Sequence, residues 1–425
     1  MAKKSEITNP KSEIDKICHN KFDLTLEALA IQFPNTQLKE RSTMKNLKRF
    51  GYLVIIVMLI GCKPKNSTAD NPQDDTSREM SEEWLAMNGD ESMPNIVLVS
   101  GDEEYRSEEA LPQLAKILSK RHDFNCTVLF AQNPEEPGIV KPNYTNNILG
   151  LEKLKTAGLM IIFTRFRALP DEQMKHIDDY LKSGKPVIGI RTSTHAFDFK
   201  NIDFESNYLH YGNSYKGEDE WEGGFGRLVL GEKWISHHGH HKHQSTKGIA
   251  AQGAKGHPIL NGIKDGDIWG PSDVYIVRLP LPGDSQPIVS GQVMDREGEF
   301  DEDDSLFGMR PSDNNPAKPV IRKNKNGEAA EVDLNDPMMP IAWVKSYQIP
   351  GGKKGKAFTS IIGSATDLLA EGTRRMMVNA VYWCLELDVP PKANVDLVGN
   401  YEPTKYAFHP DSIWHGRKLQ IVDME

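Results

Sequence analysis

The sequence predicts an α/β protein built on a doubly wound parallel sheet. Three observations predict it. Short apolar runs rich in β-branched residues recur along the middle of the chain, at 95–100, 126–130, 159–163 and 186–190. Segments with helical apolar spacing lie between them, the alternation that βαβ units require. Three of the four runs, all but 126–130, break into a polar cluster, as a buried parallel strand does when it delivers its last residues to the crevice beyond the sheet.

Taken in order, Asn95-Ile96-Val97-Leu98-Val99-Ser100 is the first strand, and it ends in Gly101-Asp102-Glu103-Glu104-Tyr105-Arg106. A helix follows from about Ser107, with Leu111, Leu114, Ala115 and Leu118 on one face. Pro112 fits that helix only in its first turn. Cys126 to Phe130 is the second strand, and Ile148, Leu151 and Leu154 mark a short helix. Leu159-Met160-Ile161-Ile162-Phe163 is the third strand, closing on Thr164-Arg165-Phe166-Arg167. Pro170 opens the next helix, which turns Met174, Ile177 and Leu181 inward and stops at Gly184. The fourth strand, Pro186 to Ile190, runs into Arg191-Thr192-Ser193-Thr194-His195-Ala196-Phe197. Further strands are expected at 274–279, 288–293, 341–344 and 357–362. The loop Gly363-Ser364-Ala365-Thr366-Asp367 is expected at the same edge as the others. A last helix carries Met377, Ala380, Val381, Cys384 and Leu387 on one face.

Composition bounds the function. With 425 residues, 38% hydrophobic and 26% charged, the chain holds one large or two small globular domains plus extra segments. A net charge of −9 argues against a nucleic-acid partner, which needs a basic face. The cysteines at 18, 62, 126 and 384 have neither zinc-finger nor redox spacing. Met44-Lys45-Asn46-Leu47-Lys48-Arg49 is a basic n-region and Phe50 to Ile60 an apolar h-region too short to span a membrane. Leu59-Ile60-Gly61-Cys62 resembles a lipobox, so 44–62 reads as a lipoprotein signal peptide. The membrane is then a partner through a lipid at Cys62, and the cell envelope is the expected location. Residues 1–43 read as a non-native upstream extension, and 63–92 as a flexible tether with little to bury. The domain is expected over 93–390, with an acidic and polar surface insertion at 295–337, and 391–425 as an irregular tail.

Together, several of these pieces resemble the ThuA-like (trehalose-utilisation) family over roughly residues 94–390. They are the first strand with its acidic loop, Phe163-Thr164-Arg165-Phe166, Gly189-Ile190-Arg191-Thr192-Ser193-Thr194-His195, Gly256-His257-Pro258-Ile259 and the terminal strand-loop-helix. The resemblance implies a flavodoxin-like, class I glutamine amidotransferase-like three-layer α/β/α sandwich with a mainly parallel sheet. It implies a lipid-anchored bacterial subgroup acting on or binding a sugar or keto-sugar derivative, by hydrolase, lyase or isomerase chemistry. Some relatives bind zinc. In glutamine amidotransferases the turn after the fourth strand carries a nucleophilic cysteine. Here Arg191 or Thr192 stands there, and Cys126 and Cys384 fall on a strand and a helix. A thiol mechanism is thereby excluded. Ser193 and His195 match the ThuA-like pattern at this turn. The other reading of the chain is a non-catalytic carbohydrate-binding or assembly protein on the same fold.

The site residues follow from the loops. His195 is a candidate base, metal ligand or turn-holding residue. Glu104 is the preferred acid or base, with Asp102 and Glu103 as neighbours. Ser193 is a candidate nucleophile only with a base in reach, and otherwise a turn hydroxyl. Arg165, Arg167 and Arg191 could clamp a polyhydroxylated or anionic ligand, or pair with the acidic loop. Tyr105 joins the substrate-binding set with Arg165 and Arg191. Trp221, Phe225 and Trp234 could stack on sugar rings or pack a loop, and Trp221 is taken as substrate-binding. Five histidines fall in the seven residues 237–243. If extended, His237, His241 and His243 share one face and His238 and His240 the other. His237, His238 and His241 are the candidate ligands for zinc or another divalent metal. A solvated loop that binds metal adventitiously is the alternative. No nucleotide cofactor is expected.

Overall fold

The strands at the sheet's centre bury side chains on both sides, and the architecture follows from that. The computed structural model describes residues 83–323 and 326–424. The chain divides into a unit of 1–78 with 323–330 and a unit of 79–322 with 331–425, and the site lies within the second. The strands in chain order begin with β1 (Trp84–Met87), β2 (Asn95–Gly101), β3 (Asn125–Phe130), β4 (Leu159–Thr164) and β5 (Val187–Ile190). Next come β6 (Ser236–His237), β7 (Gln244–Ala250), β8 (Trp269–Gly270), β9 (Tyr275–Ile276) and β10 (Gln286–Asp295). Last are β11 (Asn315–Pro316), β12 (Val320–Lys323), β13 (Ala329–Val332), β14 (Met339–Tyr347) and β15 (Gly355–Ser360).

The large sheet has the order β1-β3-β2-β4-β5-β15-β14-β10-β7-β8, with β11 on β10. Its five central strands, β3-β2-β4-β5-β15, are parallel. Counted among themselves along the chain, they stand second, first, third, fourth, fifth. That is the flavodoxin-like order, whose switch point lies between the first and third strands, here β2 and β4. Antiparallel strands extend both sides, β1 on β3 and β14, β10, β7 and β8 beyond β15.

The period of two along each strand sorts side chains onto the two faces. Ile96, Leu98, Ile161 and Ile188 pack with Leu111, Leu114 and Leu118 of α1 (Ser107–His122) and with Met377 and Val381. Val97, Val99, Met160, Ile162 and Val187 pack on the other face with Met174, Ile177 and Leu181 of α2 (Asp171–Lys182). Each such buried aliphatic side chain contributes about 1.5–3 kcal/mol. The expected three-layer α/β/α sandwich is therefore present, with helices on both faces. Gly184 ends α2 at φ 76, a conformation that favours glycine. The short α3 (Gly224–Leu228) comes so close to the 191–195 turn that a Cβ on Gly226 would stand 2.0 Å from the Thr194 carbonyl oxygen. The last core helix, α4 (Glu371–Cys384), stops before Leu387.

Several boundaries differ from the expectation. Trp84–Met87, inside the expected 63–92 tether, is a strand because Leu85 and Met87 bury on alternate positions. Pro112 lies in the second turn of α1, not the first. The 295–337 insertion contains β11, β12 and β13 and buries Phe307, Met309 and Leu334. The 391–425 tail buries Val395, Tyr406 and Trp414 and forms α5 (Asp411–Arg417). The expected extension 1–43, the signal peptide 44–62 with Cys62, and 63–82 lie outside the described residues. Among the described residues no helix is long and apolar enough to cross a membrane.

Candidate functional site

The carboxyl ends of β2, β4 and β5 place their loops side by side. After Ile190 the chain enters the turn Arg191–His195 through Arg191 at φ 50, a left-handed conformation that is uncommon outside glycine. The Arg191 guanidinium is fully buried and lies 4.2 Å from the ring centres of both Tyr105 and Tyr275. Its Nη1 donates to the carbonyls of Asp273 (2.8 Å) and Ile361 (2.6 Å), and its Nη2 to Asp273 Oδ1 (3.0 Å). Asp102 ties the β2 loop to the same turn. Its Oδ1 accepts from the backbone N–H groups of Glu104 (2.7 Å) and Tyr105, and its Oδ2 from the Thr192 hydroxyl.

Four side chains converge beside this turn. His237 ends β6, which pairs with β9 so that His237 stands opposite Tyr275, two residues past Asp273. Lys242, at φ 64, turns the chain back after His241. His237 Nδ1 lies 2.7 Å from Asp273 Oδ2, and His241 Nδ1 lies 3.1 Å from Asp273 Oδ1. His241 Nε2 is 3.5 Å from Glu104 Oε1, and Arg165 Nε is 3.5 Å from Glu104 Oε2. Exposure rises outward, from 0% for the Asp273 side chain to 26% for His241 and 43% for His237, so the group opens to solvent on one side. Asp367 pins the loop that presents Asp273, accepting from the Ser272 hydroxyl at 2.6 Å and from the Gly363 N–H at 2.7 Å.

Electrostatics separates the two carboxyls. Burial, reinforced by the Asp102 charge, pushes Glu104 up to about 7 against the pull of Arg165 and Arg191. Burial also opposes ionisation of Asp273, but hydrogen bonds from His237 and His241 and the Arg191 charge outweigh it and hold Asp273 well below the usual carboxylate range. Burial, then the charges of Arg165, Arg191 and His237, press His195 well below its ordinary value, so its imidazole is neutral at pH 7. Its ring lies among Phe166 (4.8 Å), Trp234 (5.4 Å) and Tyr275 (6.3 Å).

The expected site residues divide. Glu104, Tyr105, Arg165, Arg191, His195, His237 and His241 come together. Arg165 is 20% exposed and its guanidinium lies between the rings of Phe166 (4.7 Å) and Phe408 (4.8 Å). Arg167 spends its donors on Glu103 and on the Pro142, Tyr144 and Arg165 carbonyls, so it braces the loop instead of clamping a ligand. Ser193 is buried and its hydroxyl donates to the Ile162 carbonyl at 2.6 Å, the turn-hydroxyl alternative. His238 does not join His237 and His241. It follows β6 in a bend and turns away, with Nε2 2.8 Å from the Leu334 carbonyl oxygen. Trp221 does not reach the edge either. It packs at 4.3 Å from Tyr211 in the core layer on the α2 side, as Phe225 does, because this loop folds back over that layer. Of the three candidate stacking rings, Trp234 alone is at the site.

Sequence reasoning missed Asp273, Tyr275, Tyr406 and Phe408. Asp273 follows Gly270-Pro271-Ser272, a turn signal just before an expected strand, and that was the one available sign. Tyr406 lies 5.1 Å from both the His241 and Tyr105 rings, and Ala407 N–H donates to the Glu104 carbonyl at 2.9 Å. The chain's last segment thus forms a wall of the site.

His237, His241 and Asp273 each offer one ligand atom, two nitrogens and a carboxylate oxygen, all within 4.8 Å of one another. That donor set fits zinc or a similar borderline divalent ion.

No protein-family model matches the chain, and no curated protein matches it. Among solved structures, the chain is similar to a ThuA-like protein from Parabacteroides merdae at 11% identity and a TM-score of 0.40, covering 74% of this chain and 98% of that one. It is similar to a ThuA-like protein from Bacteroides uniformis at 12% identity and a TM-score of 0.38, covering 69% and 92%. A third similar structure is the exo-beta-1,4-mannosidase Op5Man5 from an Opitutaceae bacterium, at 8% identity and a TM-score of 0.26, covering 69% of this chain and 36% of that one. At these values the functional reading rests on the site's own geometry.

Proposed function

We propose that this protein performs metal-assisted acid–base chemistry on a sugar or keto-sugar derivative at the carboxyl edge of its sheet. The observation that carries the reading is the convergence of His237, His241 and Asp273 with a carboxyl, Glu104, that burial holds up to about 7 and that lies 3.5 Å from His241. In the metal-free protein the two carboxyls are pushed apart, one holding its proton toward neutral pH and one a fixed anion. His237, His241 and Asp273 would hold the metal, which supplies Lewis-acid polarisation of a substrate oxygen when bound. Glu104 gives or takes the proton at its carboxyl oxygens. Arg165, 20% exposed beside Glu104, would orient a substrate oxygen through its guanidinium. Neutral His195 offers a hydrogen bond without adding charge. Trp234 and Phe408 supply ring faces of the kind that stack on the apolar face of a sugar. The sugar class is supported by the ThuA-like resemblance of the loops.

The thiol route finds no support among the described residues. Cys126 and Cys384 are buried on β3 and α4, and burial pushes both thiols up, away from the reactive thiolate. The lipobox at 59–62 supports placing the activity at the cell envelope, on a protein held by a lipid at Cys62.

Elemental analysis of untagged protein after mild chelator washing tests the centre. Near-stoichiometric zinc, manganese, iron or nickel, lost in His241→Ala, is the expected result. Keto-sugars are the first substrates to screen, and Glu104→Ala and His195→Ala should each abolish turnover. Unchanged turnover in both variants refutes the assignment. A sugar that binds and stays intact in the presence of metal would leave carbohydrate binding as the function.

A further inference from the structure

Arg191 carries more structure than a turn residue needs. A non-glycine residue in the left-handed region is held there against a steric cost. A guanidinium with no exposure also loses its hydration, and ordinary core packing would favour glycine and an apolar side chain at such a place. What offsets these costs is a specific set of partners. The guanidinium plane is fixed between two tyrosine rings, each 4.2 Å away. Its Nη1 and Nη2 donors go to the backbone and the carboxylate of Asp273 and to the Ile361 carbonyl just past β15, while Nε finds no hydrogen-bond partner among the described residues.

The carboxylate it holds is the one shared by the two histidines. Asp273 Oδ1 meets both Arg191 Nη2 and His241 Nδ1, and Oδ2 meets His237 Nδ1. The terminal torsion of an aspartate has a broad well, so its plane is set by its partners. With Nη1 gripping the Asp273 carbonyl and Nη2 gripping Oδ1, both the main chain and the carboxylate plane are fixed by one rigid fork.

We propose that Arg191 is the positioning residue of this centre: it locks the Asp273 carboxylate in the plane that lets one oxygen face His237 and the other face His241. The proposal rests on reading these three residues as a metal centre. Arg191 has no exposure and its Nη donors end on Asp273 and Ile361, so it does not clamp a ligand as expected, and its effect is on metal affinity, where partners of metal ligands typically matter by about 10–100-fold.

The test is zinc affinity of the untagged protein, measured by competition with a chromophoric chelator, for wild type, Arg191→Met and Arg191→Lys. Unfolding of the metal-free forms is followed in parallel. Arg191→Met should bind zinc about 10-fold or more weakly while its metal-free form still unfolds cooperatively, and Arg191→Lys, with one nitrogen for three acceptors, should recover only part of the loss. A merely structural arginine would lower the unfolding temperature and leave the affinity of the folded fraction unchanged. A folded Arg191→Met that binds zinc within about 2-fold of wild type overturns the proposal and leaves the metal centre standing. Should Arg191→Met fail to fold, Arg191→Lys is judged on the same scale. Wild type that binds no zinc overturns the centre itself, and the positioning role with it.

Discussion

Replacing Glu104 with glutamine removes a carboxyl that the fold holds up to about 7, and the consequence is readable in stability before any substrate is known. In the unfolded chain the same group titrates near 4.5. Between those two values the folded protein keeps the proton that the unfolded chain has lost, so the native state binds more protons and its stability falls as pH rises. The stabilisation is fully present below 4.5 and gone above about 7. At about 1.4 kcal/mol per pH unit, the interval corresponds to about 3 kcal/mol. Glu104 is only 8% exposed, so solvent screening takes little from that figure. Glutamine keeps the shape and cannot titrate. Glu108, buried beside Arg106 at 3.6 Å, is also pushed up to about 7, but it is present in both proteins and cancels in their difference. The assay is urea unfolding of chelator-treated wild type and Glu104→Gln, followed by circular dichroism from pH 4.5 to 8. Wild type should lose about 3 kcal/mol more than the variant over that range. Parallel curves would show that Glu104 is already ionised at neutral pH, and its role as proton donor would fall with them.

Three further outcomes separate the site from its surroundings. Ser193→Ala should cost about 1–3 kcal/mol in thermal or urea unfolding, since it strands the buried Ile162 carbonyl, while turnover changes by less than about 2-fold; a large loss of turnover in folded protein would restore the nucleophile reading. His238→Ala should leave metal stoichiometry intact and His241→Ala should abolish it, both by elemental analysis; equal losses would contradict the geometry of the histidine segment. Trp221→Ala should cost about 3–5 kcal/mol of stability and leave sugar affinity of the folded protein unchanged, whereas Trp234→Ala should weaken sugar binding measured by titration calorimetry.

Much of the fold was legible because both faces of the central strands are buried. Runs such as Leu159 to Phe163 have no polar position to spare, and that signal survives without any neighbour in view. The edge strand Trp84–Met87 was not legible for the complementary reason. It is four residues long, and only Leu85 and Met87 bury, so the polar composition around it dominated the reading. The tail from 391 was hidden likewise. Tyr406 is fully buried against Tyr105 and His241, partners about 300 and 165 residues away in sequence, and no local pattern records such a contact.

The site shows the same division more sharply. Residues at strand ends, Glu104, Arg165, Arg191 and His195, were legible because a parallel sheet must deliver them to one edge. The histidine segment gave half an answer. The extended run ends at His237: a bend at 238–239 turns His238 to the Leu334 carbonyl, and the turn at 240–243 leaves His241 beside His237 and His243 on Arg296, so of the three histidines expected on one face two meet. The third member is Asp273, supplied by a turn whose only sequence mark is Gly270-Pro271-Ser272. Its importance lies in partners that no spacing encodes: Arg191 from the turn after β5 and two imidazoles from the 237–241 segment, with the neighbouring Ser272 held by Asp367 from the loop after β15. A carboxylate can stay ionised at 0% exposure only where cations and donors surround it. The residues that make Asp273 possible are therefore the residues that define the proposed centre, and on that proposal a change in any of them should be felt first as a loss of metal affinity and only later as a loss of fold.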